Sequence, residues 1–587
     1  MTRVTAGRAI VTALERSGIR HAFTVPGESF LELLDALRDS RIRLVAARHE
    51  AGAGFMAEAY GQLTGLPAVC LVTRAVGTAN LSIALHTAEQ DSTPLVAIAG
   101  QVPRGFRGRE AFQEADLAGS FGALCKAGVE LDDPRTMASS VERMVGLARQ
   151  GRPGPVLLVL PEDALGEPVA PDAVGASDAV GSPGALDARY APGALERPAA
   201  DGGATITLEG PAAANADVRA VLARLARARR PVILAGGGVL RSGATAELEA
   251  FADAAGIGVM AAWRRPDVFP NGSPRYLGAT GLGAARTVRR RLLEADVILA
   301  LGTRLSQVAT FDYAVPGPDT ELLQVDIDPG LQGDRPQPSL TVRSDARAFL
   351  RAALSLLAAG EPASPLAAER AADLGRDRAA YLAAVEPPDP GPRAGGLPVH
   401  PATVVAALRR HLPPDAILTT DAGNFASWPA RYLPVPPGGR FLGPTSGAMG
   451  YGLPAAVGAA IASRDLDGRA RPVVAMAGDG GFGMLMAELE TAVRERLRLA
   501  VIVFDNGMYG TIRMHQERTY PGRVAATDLG RIDFAAFAVA CGARGIRVAR
   551  DADVEEAVAS ALADRGVVLV HVLTDPRVIS IDSTLPG

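Results

Sequence analysis

Lysine is almost missing from this sequence: every one of the 60 basic residues except Lys126 is arginine. Excess charge of either sign is missing too. With 60 Lys+Arg against 64 Asp+Glu, the net charge of −4 excludes an electrostatic case for nucleic acid or an anionic membrane as partner. Cysteine is scarce: Cys70, Cys125 and Cys541 show no CxxC spacing, which excludes a disulfide framework and predicts a reducing, cytoplasmic location. No apolar run approaches the roughly 18 residues needed to span a bilayer. The segment Met1–Gly18 carries Arg3, Arg8, Glu15 and Arg16 among its apolar positions, so it reads as a helix rather than a signal peptide.

What is abundant is the material of a core. The chain is 48% hydrophobic over 587 residues, which excludes global disorder and predicts several domains. Short apolar runs (68–73, 95–99, 156–160, 231–235, 297–301, 322–326, 473–477, 500–504, 567–572) alternate with longer Ala/Leu/Arg helical patterns. Continuous apolar strands between amphipathic helices predict an α/β protein of doubly wound parallel sheets covered on both faces. Segments rich in Ala, Pro and Gly divide it into domains at 1–165, 204–360 and 396–587, joined by linkers at 166–203 and 361–395. The first and third domains echo each other: Gly154 to Asp163 and Gly566 to Pro576 are similar apolar strands running into an acidic turn.

The strongest chemical signal is Gly478-Asp479-Gly480-Gly481 at the end of an apolar strand. A second apolar strand ends in Asp505-Asn506-Gly507-Met508-Tyr509-Gly510, and 24 residues lie between Gly480 and Asp505. Ligands of open α/β sheets bind at such carboxyl ends. Asp479 and the amide oxygen of Asn506 are hard donors suited to Mg²⁺, and the glycines let backbone N–H groups approach a phosphate. These residues resemble the thiamine diphosphate (ThDP) enzymes of the acetolactate synthase-like large-subunit family. That resemblance implies three domains: pyrimidine-binding, central dinucleotide-fold-like and diphosphate-binding. It also implies ThDP with Mg²⁺ held by Asp479, Asn506 and the Met508 carbonyl, with Gly478, Gly480, Gly481, Tyr509 and Gly510 around the diphosphate.

The resemblance extends over most of the chain. Ala422-Gly423-Asn424-Phe425 looks like a second diphosphate turn. Gly447-Ala448-Met449 looks like the pyrimidine segment, with Met449 as the apolar wedge beneath the cofactor. In Arg48-His49-Glu50, the family's glutamate is the catalytic group that drives deprotonation of the thiazolium carbon. Pro26, Gly27, Thr73 and Asn80 would line the same cofactor. Gln113 is implied as a second catalytic residue, and Glu28, Phe112, Gln113, Lys126 and His515 as the substrate pocket. The resemblance further implies a homodimer or homotetramer with active sites at the subunit interface.

Three departures stand out. Asp505 replaces the first asparagine of the family motif, Ala75-Val76-Gly77 replaces Gly-Pro-Gly, and His515 replaces a tryptophan. Gly236-Gly237-Gly238, Gly302-Thr303-Arg304 and Asp326-Ile327-Asp328 follow apolar runs in a dinucleotide layout. By resemblance FAD would bind there, yet the family's Met-His-Gly stretch is absent, so FAD stays open. The implied reaction is decarboxylation of a pyruvate-type 2-ketoacid with acyl transfer to a second carbonyl. The alternative is a ThDP-dependent decarboxylase or benzaldehyde-lyase-like carboligase acting on 2-ketoacids or aldehydes, with His86 and His515 as acid–base groups. An isolated lysine in an arginine-rich chain suggests a selected role for Lys126, and its position 13 residues after Gln113 resembles the family's loop-to-lysine interval, which implies a place near the substrate.

Overall fold

A computed structural model describes residues 4–170, 211–329, 337–360, 364–391 and 397–585. Three domains, each a six-stranded parallel sheet flanked by helices, account for them. In the N-terminal domain β1 (Val4–Thr5) is followed by β2 (His21–Thr24), β3 (Arg43–Ala46), β4 (Ala68–Thr73), β5 (Leu95–Gln101), β6 (Ala127–Glu130) and β7 (Pro155–Pro161). Then β8 (Pro168–Val169) returns antiparallel to β1. The central domain contains β9 (Val232–Ala235), β10 (Gly258–Ala261), β11 (Tyr276–Ala279), β12 (Val297–Leu301), β13 (Glu321–Asp326) and β14 (Leu340–Arg343). The C-terminal domain contains β15 (Ile417–Thr420), β16 (Arg440–Leu442), β17 (Val473–Gly478), β18 (Leu499–Asp505), β19 (Arg544–Val548) and β20 (Val567–Leu573).

The N-terminal sheet runs β3-β2-β4-β5-β7-β6 and the C-terminal sheet β16-β15-β17-β18-β20-β19. Counted within each domain, both are 2-1-3-4-6-5. The echo between β7 and β20 is thus an echo of equivalent strands. The central sheet, β11-β10-β9-β12-β13-β14, has the 3-2-1-4-5-6 order of dinucleotide-binding folds.

The chain divides into two compact units. One joins the N-terminal sheet to residues 444–470 and 485–497; the other holds the central and C-terminal sheets. In the first, Val69, Leu71, Val96, Ile98, Val156 and Leu158 form the middle of the core. Apolar side chains on both faces of these strands explain their unbroken hydrophobic runs.

Most of the linker read at 166–203 lies outside the described residues. Most of the linker read at 361–395 does not behave as one, because Ala367–Ala384 is a helix. It packs on the central domain: the buried Arg370 donates to the carbonyls of Leu225 (2.6 Å) and Ala228 (3.0 Å) at the end of the helix Asn215–Arg227. The Tyr381 ring meets Tyr276 edge-on at 5.8 Å. Leu374, Tyr381 and Ala384, spaced along one face of the helix, pack against the central core beside these arginine bonds.

Candidate active site

The N-terminal unit presents Glu50 as the first residue of the helix Glu50–Thr64. His49 caps that helix, its Nδ1 accepting the Ala51 N–H at 3.1 Å. Glu50 is nearly buried, and its Oε2 accepts a hydrogen bond from Asn80 Nδ2 at 2.9 Å. A Cβ at Gly77 would lie 3.3 Å from Glu50 Oε1. The one glycine retained from the family's Gly-Pro-Gly is therefore the one that leaves room for this carboxylate.

Three strand ends converge beside it. The turn Pro26-Gly27-Glu28 after β2 meets Thr73 at the end of β4, and Ser29 Oγ lies 2.8 Å from Thr73 Oγ1. The next residue, Arg74, was not foreseen from sequence. It is buried in a left-handed conformation (φ 38°) and donates to Glu28 Oε1 (2.8 Å) and to Glu162 Oε2 at the end of β7 (2.9 Å). Its guanidinium also stands 5.9 Å from the centre of the exposed Phe112 ring. Gln113, likewise left-handed (φ 64°), accepts the Ala75 N–H at its carbonyl. Arginine, Glu28, Phe112 and Gln113 thus form one cluster at the carboxyl edge of the sheet, the edge where such folds bind ligands. An arginine in a chain with 59 of them gives no sequence signal; only its place after Thr73 marks it.

Within this chain Lys126 lies apart from this cluster. It precedes β6, on the amino edge of the sheet, and its Nζ donates to the carbonyls of Leu147 (2.7 Å) and Gln150 (2.6 Å). These carbonyls end the helix Pro134–Arg149, where a cation offsets both the orphan acceptors and the helix dipole. The flexible lysine reaches them as a compact donor. His86 and His515 lie on exposed helix faces, on Arg74–Asp91 and Gly510–Thr519.

The Met449 segment belongs to the same unit as Glu50. Thr445 Oγ1 donates to Asp91 (2.7 Å), Ser446 Oγ lies 2.9 Å from Thr87 Oγ1, and Tyr451 OH donates to Glu58 (2.7 Å). These bonds hold Gly447 and the half-buried Met449 from both sides.

In the other unit, β17 ends at Gly478 and Asp479 opens the helix Asp479–Leu485 with Gly480 and Gly481. The Asp479 and Asp505 carboxyls are neighbours, and Asp505 Oδ2 lies 2.7 Å from Nε2 of the buried His571. Burial, reinforced by the Asp505 charge, pushes the Asp479 carboxyl up to about 7. Burial raises Asp505 as well, but its hydrogen bond and attraction to His571 outweigh that and hold it below the usual range. Asp505, which stands where the family motif has asparagine, thus has a buried histidine as its partner. Asn506 Oδ1 accepts the Met508 N–H (3.2 Å), and the Met508 carbonyl accepts from Gly510 N (2.9 Å). The loop 507–509 is fixed by Tyr509 N to Thr527 O and Leu529 N to Gly507 O, each 2.8 Å.

The turn Ala422-Gly423-Asn424-Phe425 docks on the same loop. Asn424 N donates to Thr511 Oγ1 (3.1 Å) and Thr511 Oγ1 to Asn424 Oδ1 (3.1 Å), while the Phe425 ring stacks on Phe504. The chemistry of this donor set fits a divalent cation, because two adjacent acids hold excess negative charge that such an ion would neutralise. Among the described residues, no three His, Cys, Asp or Glu side chains gather as a ready-made metal cage.

In the central domain, the Gly236–Gly238 turn closes against the end of β12. Gly236 N donates to Leu301 O (3.0 Å) and Gly238 N to Gly302 O (2.9 Å).

Comparison with known proteins agrees with this layout. Residues 4–120 match the N-terminal TPP binding domain of thiamine pyrophosphate enzymes, residues 218–353 the central domain, and residues 421–572 the C-terminal TPP binding domain. The acetolactate synthase of Mycobacterium bovis is 31% identical over 583 residues, covering 96% of this chain and 87% of the relative. The acetolactate synthase large subunit of Corynebacterium glutamicum is 31% identical over 97% of this chain and 86% of its own length. Acetolactate synthase isozyme 1 large subunit of Escherichia coli is 30% identical over 98% and 94%. With three consecutive domains matched and relatives aligned along nearly the whole length, the chain belongs to the thiamine pyrophosphate enzymes, in the acetolactate synthase-like large-subunit family.

Proposed function

We propose that the protein is a ThDP- and Mg²⁺-dependent enzyme acting on 2-ketoacids, decarboxylating a pyruvate-type donor and transferring its acyl group to a second carbonyl. The observation that carries this reading is the placement of Glu50: a nearly buried carboxylate at a helix start, oriented by Asn80 and given room by Gly77. A carboxylate so held is a proton-transfer group, not a surface charge. When bound, ThDP supplies the electron sink for decarboxylation.

The remaining roles fall to the chain's own residues. Asp479, Asn506 and the Met508 carbonyl would hold the metal, with Asp505 and His571 supporting them. Gly478, Gly480, Gly481, Tyr509, Gly510 and the 422–425 turn would take the diphosphate. Pro26, Gly27, Thr73, Asn80, Gly447 and Met449 would take the pyrimidine. Glu28, Phe112 and Gln113 would face substrate, and Arg74 would order them. His515, exposed, is kept for the acceptor side on its family position alone. The domain limits 1–165, 204–360 and 396–587, a cytoplasmic location and a homodimer or homotetramer belong to the same proposal. Among the described residues no helix is long and apolar enough to cross a membrane.

FAD is a separate matter. The central strand order supports it, and the use of the Gly236 and Gly238 amides by backbone carbonyls counts against it. Flavin absorbance of the purified protein decides. The main reading is tested by calorimetric titration with ThDP and Mg²⁺, followed by CO₂ release and product analysis on a panel of 2-ketoacids. Binding with a 2-hydroxy-3-ketoacid as the condensation product is expected. Aldehyde as sole product would transfer the reading to a decarboxylase, and absence of ThDP binding would overturn it.

A further inference from the structure

We infer that Glu488 is a positioning residue for Glu50. Glu488, at the start of the helix Glu488–Arg494, is fully buried in the same compact unit as Glu50. Its Oε1 accepts the backbone N–H groups of both Arg48 and His49 at 3.0 Å, and its other oxygen accepts from Thr491 Oγ1 at 2.7 Å. Arg48 and His49 are the two residues immediately before Glu50. The first N–H groups about a helix start lack intrahelical acceptors, and an anion placed there is favoured by the helix dipole. Here the anion is a side chain 440 residues away in sequence.

The helix is shaped to receive it. A Cβ at Gly52 would lie 2.2 Å from Glu488 Oε1, so only glycine lets the carboxylate lie against the first turn. Every backbone amide next to Glu50 is then assigned: Arg48 and His49 to Glu488, Ala51 to His49 Nδ1. Glu488 fixes where the main chain launches the Glu50 side chain, and Asn80 fixes where that side chain ends. Burial raises the Glu488 carboxyl, and the Thr491 hydroxyl and the two amides oppose that by favouring its charged form.

The inference rests on the proposed role of Glu50, and its test separates the two. In the apo protein, hydrogen–deuterium exchange is measured across residues 46–56 for wild type, Glu488→Ala and Glu488→Gln. Loss of the acceptor should speed exchange at Arg48 and His49 by at least about tenfold, on the scale of one lost hydrogen bond to a charged group. Glutamine, which keeps an oxygen acceptor, should retain protection. With ThDP and Mg²⁺, Glu488→Ala should slow proton exchange at the thiazolium carbon by about 10²-fold, the scale of a roughly 1 Å misplacement, while ThDP affinity stays within about threefold. Glu488→Gln should restore most of the rate. Should the alanine variant fold poorly, Glu488→Asp, one methylene shorter, withdraws the acceptor with the charge kept and should show the same local exposure. Unchanged exchange at Arg48 and His49, or a glutamine variant as slow as alanine, would overturn the inference. A wild type that binds no ThDP overturns the parent reading instead, and the apo exchange measurement tells the two failures apart.

Discussion

The Tyr451 hydroxyl donates a 2.7 Å hydrogen bond to Glu58 Oε2, and neither residue is exposed to solvent. Thr93 and Gln62 donate to the other oxygen of the same carboxyl, each at 2.7 Å. Burial, and then the nearby Asp91 carboxylate, pushes Glu58 up to about 7. An acid whose folded pKa is raised binds more protons folded than unfolded, so its stabilising share is present below about 4.5 and is lost as pH rises towards about 7. The full effect is on the order of 3 kcal/mol. Glu58→Gln should flatten the profile: between pH about 5 and about 8, wild type should lose more thermal stability than the variant. Parallel melting curves for the two would remove Glu58 as the source.

Glu50→Gln keeps the size and the Asn80 contact but cannot ionise. ThDP affinity should be retained while proton exchange at the thiazolium carbon slows by about 10²–10⁴-fold, the range of general acid–base catalysis. Wild-type exchange in that variant, measured by NMR after rapid quench, would strike Glu50 from the catalytic residues.

Asp479→Asn should act in opposite directions on apo and holo protein. Removing one of two adjacent buried acids relieves the repulsion at Asp505, so apo protein should melt higher, by about 1 kcal/mol or more. Mg²⁺-dependent ThDP affinity should fall by at least about 100-fold. A variant that binds ThDP and Mg²⁺ as wild type does would mean the metal lies elsewhere.

Lys126→Ala should cost about 1–2 kcal/mol of stability, from two lost bonds to helix-terminal carbonyls, with kcat unchanged. Denaturant unfolding and steady-state rates measured on one preparation check both halves. A fall in kcat without loss of stability would return the lysine to the active site.

Much of the fold was legible because burial on both faces leaves a sequence trace. All nine apolar runs are strands, since a parallel strand between helix layers has no polar face to interrupt it. Edge strands were harder: β3 (Arg43-Leu44-Val45-Ala46) buries only Val45 fully and reads as ordinary mixed sequence. Asp479, Asn506 and Glu50 could be picked out because each sits in a short local pattern. Glu488, Arg74 and His571 could not, because their meaning lies in partners brought together by topology. The bonds of Lys126 were not legible either: rarity in composition says nothing about which edge of a sheet a residue occupies.

The shared 2-1-3-4-6-5 strand order has one more consequence. In each outer domain the second strand, β3 or β16, leads into a helix, Glu50–Thr64 or Gly452–Asp467. These two topological equivalents pack against each other so closely that a Cβ at Gly458 would sit 2.2 Å from the Met56 carbonyl oxygen. Such a contact is the single-chain counterpart of an isologous dimer interface, in which one surface must serve as its own complement. Written twice in one polypeptide, the surface escapes that self-complementarity: one copy opens on the acid Glu50, and the other follows the apolar Met449. The two halves of the seam are therefore free to differ where they open, without any second gene.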